Sequence, residues 1–385
     1  MAKLFERRLR RADSPLAIAG TTALALLAAM LLTSFLFISY GANPLQAYFA
    51  LFHEPFATLR GFGYALVRAS PLALIALGTI VSWRSGLAYL GFEGCFVIGA
   101  AVSSWLALLT AAGARLGPLP PALFLTLAIF FSFAAGGTWA GVVGMVRALL
   151  GGSEVLISLM ANYVAIFILQ FLVSGPLRAP GSLPETLELP RATWLPFILP
   201  GTRAHAGILI ALLAAALVWV LLKKMPLGYE LIVVGFNPLA ARYAGINVAG
   251  RLILAAFFAG GLGALAGTVE VLGSQHRLME GISGGVGFVG IIVALLARLD
   301  PLAAIPTAVL YGGMTVGADA MQRRAGIPSS ITFILESLAV LLVLISDVLR
   351  YYRINPSALW NRPSATIAEG APETASEGKD GGTGE

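Results

Sequence analysis

The sequence has few charges, one cysteine and little histidine. Only 11% of its 385 residues are charged and 58% are hydrophobic, whereas a soluble domain is roughly a quarter charged and about half apolar. That excludes an ordinary soluble domain and predicts an all-α polytopic membrane protein, because backbone that crosses lipid must satisfy its own polar groups. The lone Cys95 excludes an internal disulfide framework and any cysteine zinc cluster. His53, His205 and His276 lie too far apart in sequence for a local metal motif and read as loop residues, so neither metal nor cofactor is expected. There is no G-x-x-x-x-G-K-[ST] phosphate loop, no H-E-x-x-H and no G-x-S-x-G elbow. The chain is therefore not read as an enzyme, and ATP-driven work would need a separate subunit. Its net charge of +6 comes from cations scattered singly between apolar spans, which fits basic membrane loops and not nucleic-acid binding.

What is present is a series of apolar runs. Residues 1–14 hold Lys3, Arg7, Arg8, Arg10 and Arg11, and by the positive-inside rule this end is cytoplasmic. Residues 15–350 form the membrane domain. Ten spans are predicted, at about 15–40, 63–82, 91–111, 121–146, 155–174, 207–222, 252–272, 286–297, 302–320 and 329–349, with an interfacial helix at 43–60. Most approach the ~20 apolar residues a crossing requires. The span at 286–297 is short, so the glycine-rich stretch 281–290 is expected to supply broken or re-entrant backbone. Residues 175–206, with six prolines, are too polar for hydrocarbon and read as an extracytoplasmic loop. Ten crossings place both termini in the cytoplasm. The tail 351–385, polar and acidic from residue 361 onward, is expected to be disordered there.

Gly91-Phe92-Glu93-Gly94 opens the third span and Gly287-Phe288-Val289-Gly290 the eighth. Spans five apart run in opposite directions, so this faint repetition predicts a 5+5 inverted repeat with a solute path at its interface. Polar groups inside spans are expensive and so face a cavity or a partner. Glu93, Glu154, Asn162, Gln170, Glu270, Asp319, Glu336 and Asp347 qualify. Glu93, Glu154, Asn162, Glu270 and Phe288 are the candidates for the path. Glu154 also reads as a first-turn carboxylate that offsets a helix N-terminus, and Asn162 and Tyr163 as partners in interhelical hydrogen bonds. Asp347 and Arg350 have the spacing of an i, i+3 pair.

The most informative stretch is 223–251. Met225-Pro226-Leu227-Gly228 reads as a turn. Asn237 and Pro238 then mark a helix start, and Leu239-Ala240-Ala241-Arg242-Tyr243-Ala244 runs to Gly245, a residue favoured at helix ends. Such a short helix is a docking knob or an ordinary connecting loop with a surface helix.

The run Pro226-Leu227-Gly228-Tyr229-Glu230, Gly235-Phe236-Asn237-Pro238 and Ala240-Ala241-Arg242-Tyr243-Ala244-Gly245-Ile246 resembles the cytoplasmic coupling loop of ABC-transporter permeases of the simple-sugar and nucleoside uptake group. The likeness extends over roughly 51–349, through Arg84-Ser85-Gly86-Leu87, Glu154-Val155-Leu156-Ile157-Ser158, Ser174-Gly175-Pro176-Leu177 and Glu270-Val271-Leu272-Gly273. The resemblance implies that Asn237, Pro238, Ala240, Ala241, Arg242, Tyr243 and Gly245 couple the chain to ABC ATPase subunits. It also implies a second permease in a homo- or heterodimer, an extracytoplasmic solute-binding lipoprotein, and a nucleoside or simple sugar as small-molecule solute. ATP-driven motion of the 237–245 helix would then drive alternating access around Glu93 and Gly287. Tyr89, Cys95, Ser153 and Val289 stand where the family pattern leads one to expect asparagine, glutamine, asparagine and aspartate, which bears on the choice of solute. The competing reading is an ion-coupled secondary transporter with Glu93 or Glu270 as proton site.

Overall fold

A computed structural model describes residues 5–7, 15–111, 117, 119–326 and 328–354. The chain is built from helices: α1 (Pro15–Ser39), α2 (Pro44–Ala57), α3 (Leu59–Arg84), α4 (Phe92–Leu109), α5 (Pro121–Leu150), α6 (Glu154–Ser174), α7 (Gly207–Lys224), α8 (Pro226–Phe236), α9 (Pro238–Tyr243), α10 (Val248–Glu270), α11 (Val286–Leu296), α12 (Pro301–Ala325) and α13 (Ser329–Tyr351). Two three-residue strands, β1 (Phe5–Arg7) and β2 (Tyr352–Ile354), pair antiparallel. The remainder of the tail, 355–385, and most of the basic N-terminus lie outside the described residues.

Each predicted span has a helix at its position. Among the described residues, seven helices are long and apolar enough to cross a membrane, and eight if the bent pair Leu27–Ser39 and Pro44–Ala57 counts as one span. That pair corresponds to the expected first span at 15–40 and the separate helix expected at 43–60. The chain turns by 119° where Gly41 takes a positive φ and Asn43 caps α2 by accepting from Leu45 N–H. α11 has only eleven residues, about 16 Å at 1.5 Å per residue, so it reaches through about half of a bilayer core. The expected turn at 225–228 is tighter than predicted, because Pro226 is already the first residue of α8.

The core is packed through small residues. A Cβ on Gly136 of α5 would lie 2.6 Å from the Gly260 carbonyl of α10, and one on Gly260 would lie 2.3 Å from the Gly136 carbonyl. Glycine at both positions lets the two backbones touch, the contact that favours helix association in lipid. α10 thus forms the central pillar, running from the α8–α9 region at one end to the long connection 175–206 at the other. A π-helical turn, Val271–Gln275, extends it.

The two glycine-aromatic segments meet. After α3 the chain unwinds at Ser85, and residues 87–90 return extended into the bundle before α4 starts. After α10 and its π turn, residues 276–285 enter from the opposite end, mostly through turns, before α11 starts. α4 and α11 therefore begin inside the protein, N-terminus to N-terminus, and run in opposite directions, as an inverted repeat requires.

Candidate functional site

The 237–247 knob is built from its own stretch of sequence. Asn237 accepts from Leu239 N–H at 3.0 Å and Ala240 N–H at 3.1 Å, which caps α9. Gly245, at φ +79°, ends it, and Asn247 caps α10 through Gly250 N–H. Of the seven predicted coupling residues only Ala241 is buried, at 0% exposure, in a small cluster with Val234 and Val248. Asn237, Pro238, Ala240, Arg242, Tyr243 and Gly245 are exposed. Ala241 is thus the root of the knob. Its outer face is Tyr243 at 93% and Leu239 at 65%, beside Phe236 at 87%. Three large apolar side chains thus stand exposed together on one short projection.

The knob is tied to the interior. Arg251 of α10 pairs with Glu230 of α8. α8 presses on the α3–α4 connection so closely that a Cβ on Gly235 would lie 2.2 Å from the Arg84 carbonyl. Arg84 donates through Nε to Leu299 O at 2.9 Å, which binds the end of α3 to the α11–α12 turn.

From Gly86 the extended segment leads to Glu93. This buried carboxylate, in the first turn of α4, accepts from Gly285 N–H at 3.0 Å and Gly287 N–H at 2.7 Å. One carboxylate therefore faces two helix N-termini, where free N–H groups and the positive dipole ends favour negative charge. The unwound segment is satisfied by α6. Ser158 accepts from Leu90 N–H, while Asn162 donates to Leu90 O and accepts from Gly94 N–H. Of the alternatives for Asn162, the structure shows interhelical hydrogen bonding; Tyr163 lies exposed on the outer face of α6.

The other candidates for the path are scattered. Glu154 starts α6, capped by Ser153, and pairs with Arg147 at 3.1 Å. Glu270, buried, accepts from Gln275 Nε2 at 2.9 Å. Phe288 lies 44% exposed on α11. Both carboxylates of the proton-site reading thus have hydrogen-bond donors. Two departures from the family pattern turn out to be partners, since the buried Tyr89 hydroxyl lies 3.0 Å from Cys95 Sγ. The side chains of Glu336, Asp347 and Arg350 lie outside the described residues.

A cavity of about 690 Å³ opens at the far end, between α3, α12, the connection 175–206 and the π turn. It was not predicted. Gln275 and His276 line it together with Trp194, whose ring stacks on His276 with centroids 3.6 Å apart and 10° between planes. The connection is fastened there through Thr186 N–H to Leu278 O, Leu189 N–H to His276 O and Leu195 N–H to Leu272 O. Both of these histidines lie in connecting segments, as expected. His205 is buried, accepts from Gly207 N–H through Nδ1 and lies against Gly273. Burial, with a smaller contribution from His276, lowers its pKa to about 4. Burial and Arg203 also lower the pKa of His276, against the pull of Glu188. His53 is helical and stacks on Phe49. Among the described residues no cluster of three or more His, Cys, Asp or Glu has metal-binding geometry. Asp319, singled out from the sequence, lines the cavity with Tyr64, Arg68 and Arg323. The signal that was missed is Arg68, a cation inside an otherwise apolar run.

Comparison with known proteins agrees with this architecture. The family described as "Branched-chain amino acid transport system / permease component" matches residues 61–346. A guanosine ABC transporter permease protein of Bacillus subtilis is 32% identical over 316 residues, covering 81% of this chain and 88% of the relative. A glucose ABC transporter permease protein of Haloferax volcanii is 29% identical over 346 residues, covering 87% and 89%. A nucleoside ABC transporter permease protein of Lactococcus lactis is 28% identical over 336 residues, covering 85% and 90%. Membership of such a family implies an ATPase and a solute-binding protein as partners. The chain belongs to the branched-chain amino acid transport system permease family and is a multi-pass membrane subunit of an ABC importer, with ATP hydrolysed by a separate subunit.

Proposed function

We propose that the chain forms, in the cytoplasmic membrane, the translocation path for a nucleoside or simple sugar, and that α9 faces the cytoplasm and docks an ATPase. The observation that carries this reading is the knob: Tyr243, Leu239 and Phe236 stand in solvent on a helix whose root, Ala241, is buried and whose two ends are capped. A rigid projection transmits a push, whereas a flexible loop absorbs it. The basic N-terminal segment and the ten spans expected from the sequence support the orientation, in which 175–206 lies on the extracytoplasmic side, where a binding lipoprotein would deliver solute. The guanosine, nucleoside and glucose permeases named above support the solute class. A second permease completes the path, as a homo- or heterodimer.

The contacts supply the route of coupling. Motion of α9 carries α8, to which it is joined through Val234 and Asn237. α8 bears on Ser85 and Gly86 through Gly235, and that connection leads directly to Glu93 and the junction of α4 with α11. The Glu93 junction is where the two halves would part or close in alternating access. Glu154, Asn162 and Glu270 act in this reading as supports of the path, and Phe288 as an exposed wall residue.

The test is pull-down of the ATPase with Tyr243→Ala and Leu239→Ser variants. Association falls at least tenfold while thermal stability of the purified permease stays within a few degrees. Undiminished association of both variants overturns α9 as the dock. Labelling of a Tyr243→Cys variant by an impermeant maleimide added outside intact cells overturns the orientation.

A further inference from the structure

The cavity at the end remote from α9 carries more positive charge than the chain itself neutralises. Arg68, Arg203 and Arg323 line it against one carboxylate, Asp319. None of these four makes an ion pair or a hydrogen bond among the described residues. Pairing is available nearby: Arg277 is bound by Glu185 and Glu188, and Arg324 by Glu54. At the cavity it is withheld.

Arg68 is the most telling of the four. It is the tenth residue of α3, about 14 Å along a helix long and apolar enough to span a membrane. A charge inside a span is costly unless it meets water or a partner. A concave wall lined by one sign of charge focuses the field and concentrates counter-ions. Guanidinium forks match the geometry of phosphate and carboxylate oxygens. The excess of three cations over one anion suits a phosphate monoester, which carries about −1.5 to −2 at neutral pH. The aromatic groups do not make this a stacking pocket for a neutral ring. Trp194 has His276 against its ring and the Arg191 guanidinium over it at 5.8 Å from the centroid, which leaves Tyr64 and Phe197 as the exposed apolar surfaces beside the cations.

We propose that this cavity is a binding site for an oxyanion group, a phosphate or carboxylate, held by Arg68, Arg203 and Arg323. The group is presented by a small anionic solute or by a phospholipid headgroup. The site is measured on the permease alone, so its outcome is separate from that of ATPase docking.

The test uses the full chain purified in maltoside detergent and again in phosphatidylcholine nanodiscs. Inorganic phosphate and methyl phosphate are titrated at constant ionic strength, with trimethyl phosphate as the neutral control, and tryptophan fluorescence and thermal shift are read. Wild type gives a saturable response to both anions in detergent and none to trimethyl phosphate. Arg68→Gln and Arg323→Gln each weaken the response at least tenfold. Arg203→Gln, on an exposed loop residue, serves if the helical variants fail to fold. A response that persists in nanodiscs assigns a soluble anion, and one seen in detergent only, with added phospholipid competing, assigns a headgroup. No saturable response in detergent, an equal response in Arg203→Gln, or an equal response to trimethyl phosphate overturns the proposal.

Discussion

The two ends of the bundle are made in different ways. The knob end is local: caps, root and exposed face of α9 all come from residues 234–248. The cavity end is assembled from four distant segments, around residues 64–68, 194–203, 273–276 and 316–323, held by backbone bonds between the connection and the π turn. A local unit can act as a rigid lever whatever the rest does. A composite one changes shape whenever its segments move apart, which is what an opening for solute must do.

The junction between the ends offers the strongest test of that contrast. Glu93→Ala leaves the N–H groups of Gly285 and Gly287 buried without an acceptor, at about 1–3 kcal/mol each. We expect a loss of roughly 3–5 kcal/mol, seen as a large fall in the thermal midpoint, and no uptake. Glu93→Gln keeps one acceptor oxygen and falls in between. Wild-type stability in the alanine variant would mean that the two half-helices do not depend on this clasp.

Ala241→Glu strikes the knob at its root. A carboxylate placed among Val234, Val248 and α8 lacks any partner there, and burying it costs on the order of 2–4 kcal/mol. The damage stays local, so ATPase association is lost while hydrogen exchange at residues 186–206 is unchanged. Faster exchange at both ends would show that the knob is not an independent unit.

Acid acts on the other end. His205 has its folded pKa lowered to about 4, below the ordinary value near 6.5. The folded state therefore holds fewer protons than the unfolded one between these values. Stability from this site is complete above pH ~6.5 and is lost as pH falls toward 4. Going from pH 7 to 5 weakens the cavity end by about 2 kcal/mol at most, at 1.36 kcal/mol per pH unit. Hydrogen exchange should accelerate across 186–206 and not across 237–247, and His205→Phe should abolish the difference.

How much of this was legible in the sequence follows the same division. The spans, the short eighth span among them, and the α9 knob could be read because each rests on contiguous residues: apolar runs, a glycine-rich break, and an Asn-Pro cap with a terminal glycine. Ala241 could be placed on the helix but not assigned to its buried face, since that depends on where Val234 and Val248 fold back. The Glu93 clasp was half legible: the repeated glycine-aromatic motif marked both partners, but a 192-residue separation from Gly285 hid the bond. Tyr89 and Cys95 read as two separate losses of polarity because nothing in a sequence shows that one hydroxyl meets one thiol. The cavity was invisible. Its arginines are ordinary loop and helix cations until four segments bring them together, and His205 and His276, seventy-one positions apart, become neighbours only through the fold.

The smallest effect expected separates backbone from side-chain fastening at the cavity end. Arg277 pairs with Glu185 at 2.9 Å and lies 3.7 Å from Glu188, but its side chain is 40% exposed, and such pairs are screened by salt and worth roughly 0–1 kcal/mol. The bonds from Thr186 to Leu278 and from Leu189 to His276 run along the same seam and involve main-chain groups withdrawn from water. Arg277→Ala should therefore shift stability by less than ~1 kcal/mol, with the difference vanishing at high salt and exchange of the Thr186 and Leu189 amides still slow. Rapid exchange of those two amides would place the fastening in the ion pair. The cavity end would then be held by a surface charge cluster, which salt could loosen while the knob end stayed intact.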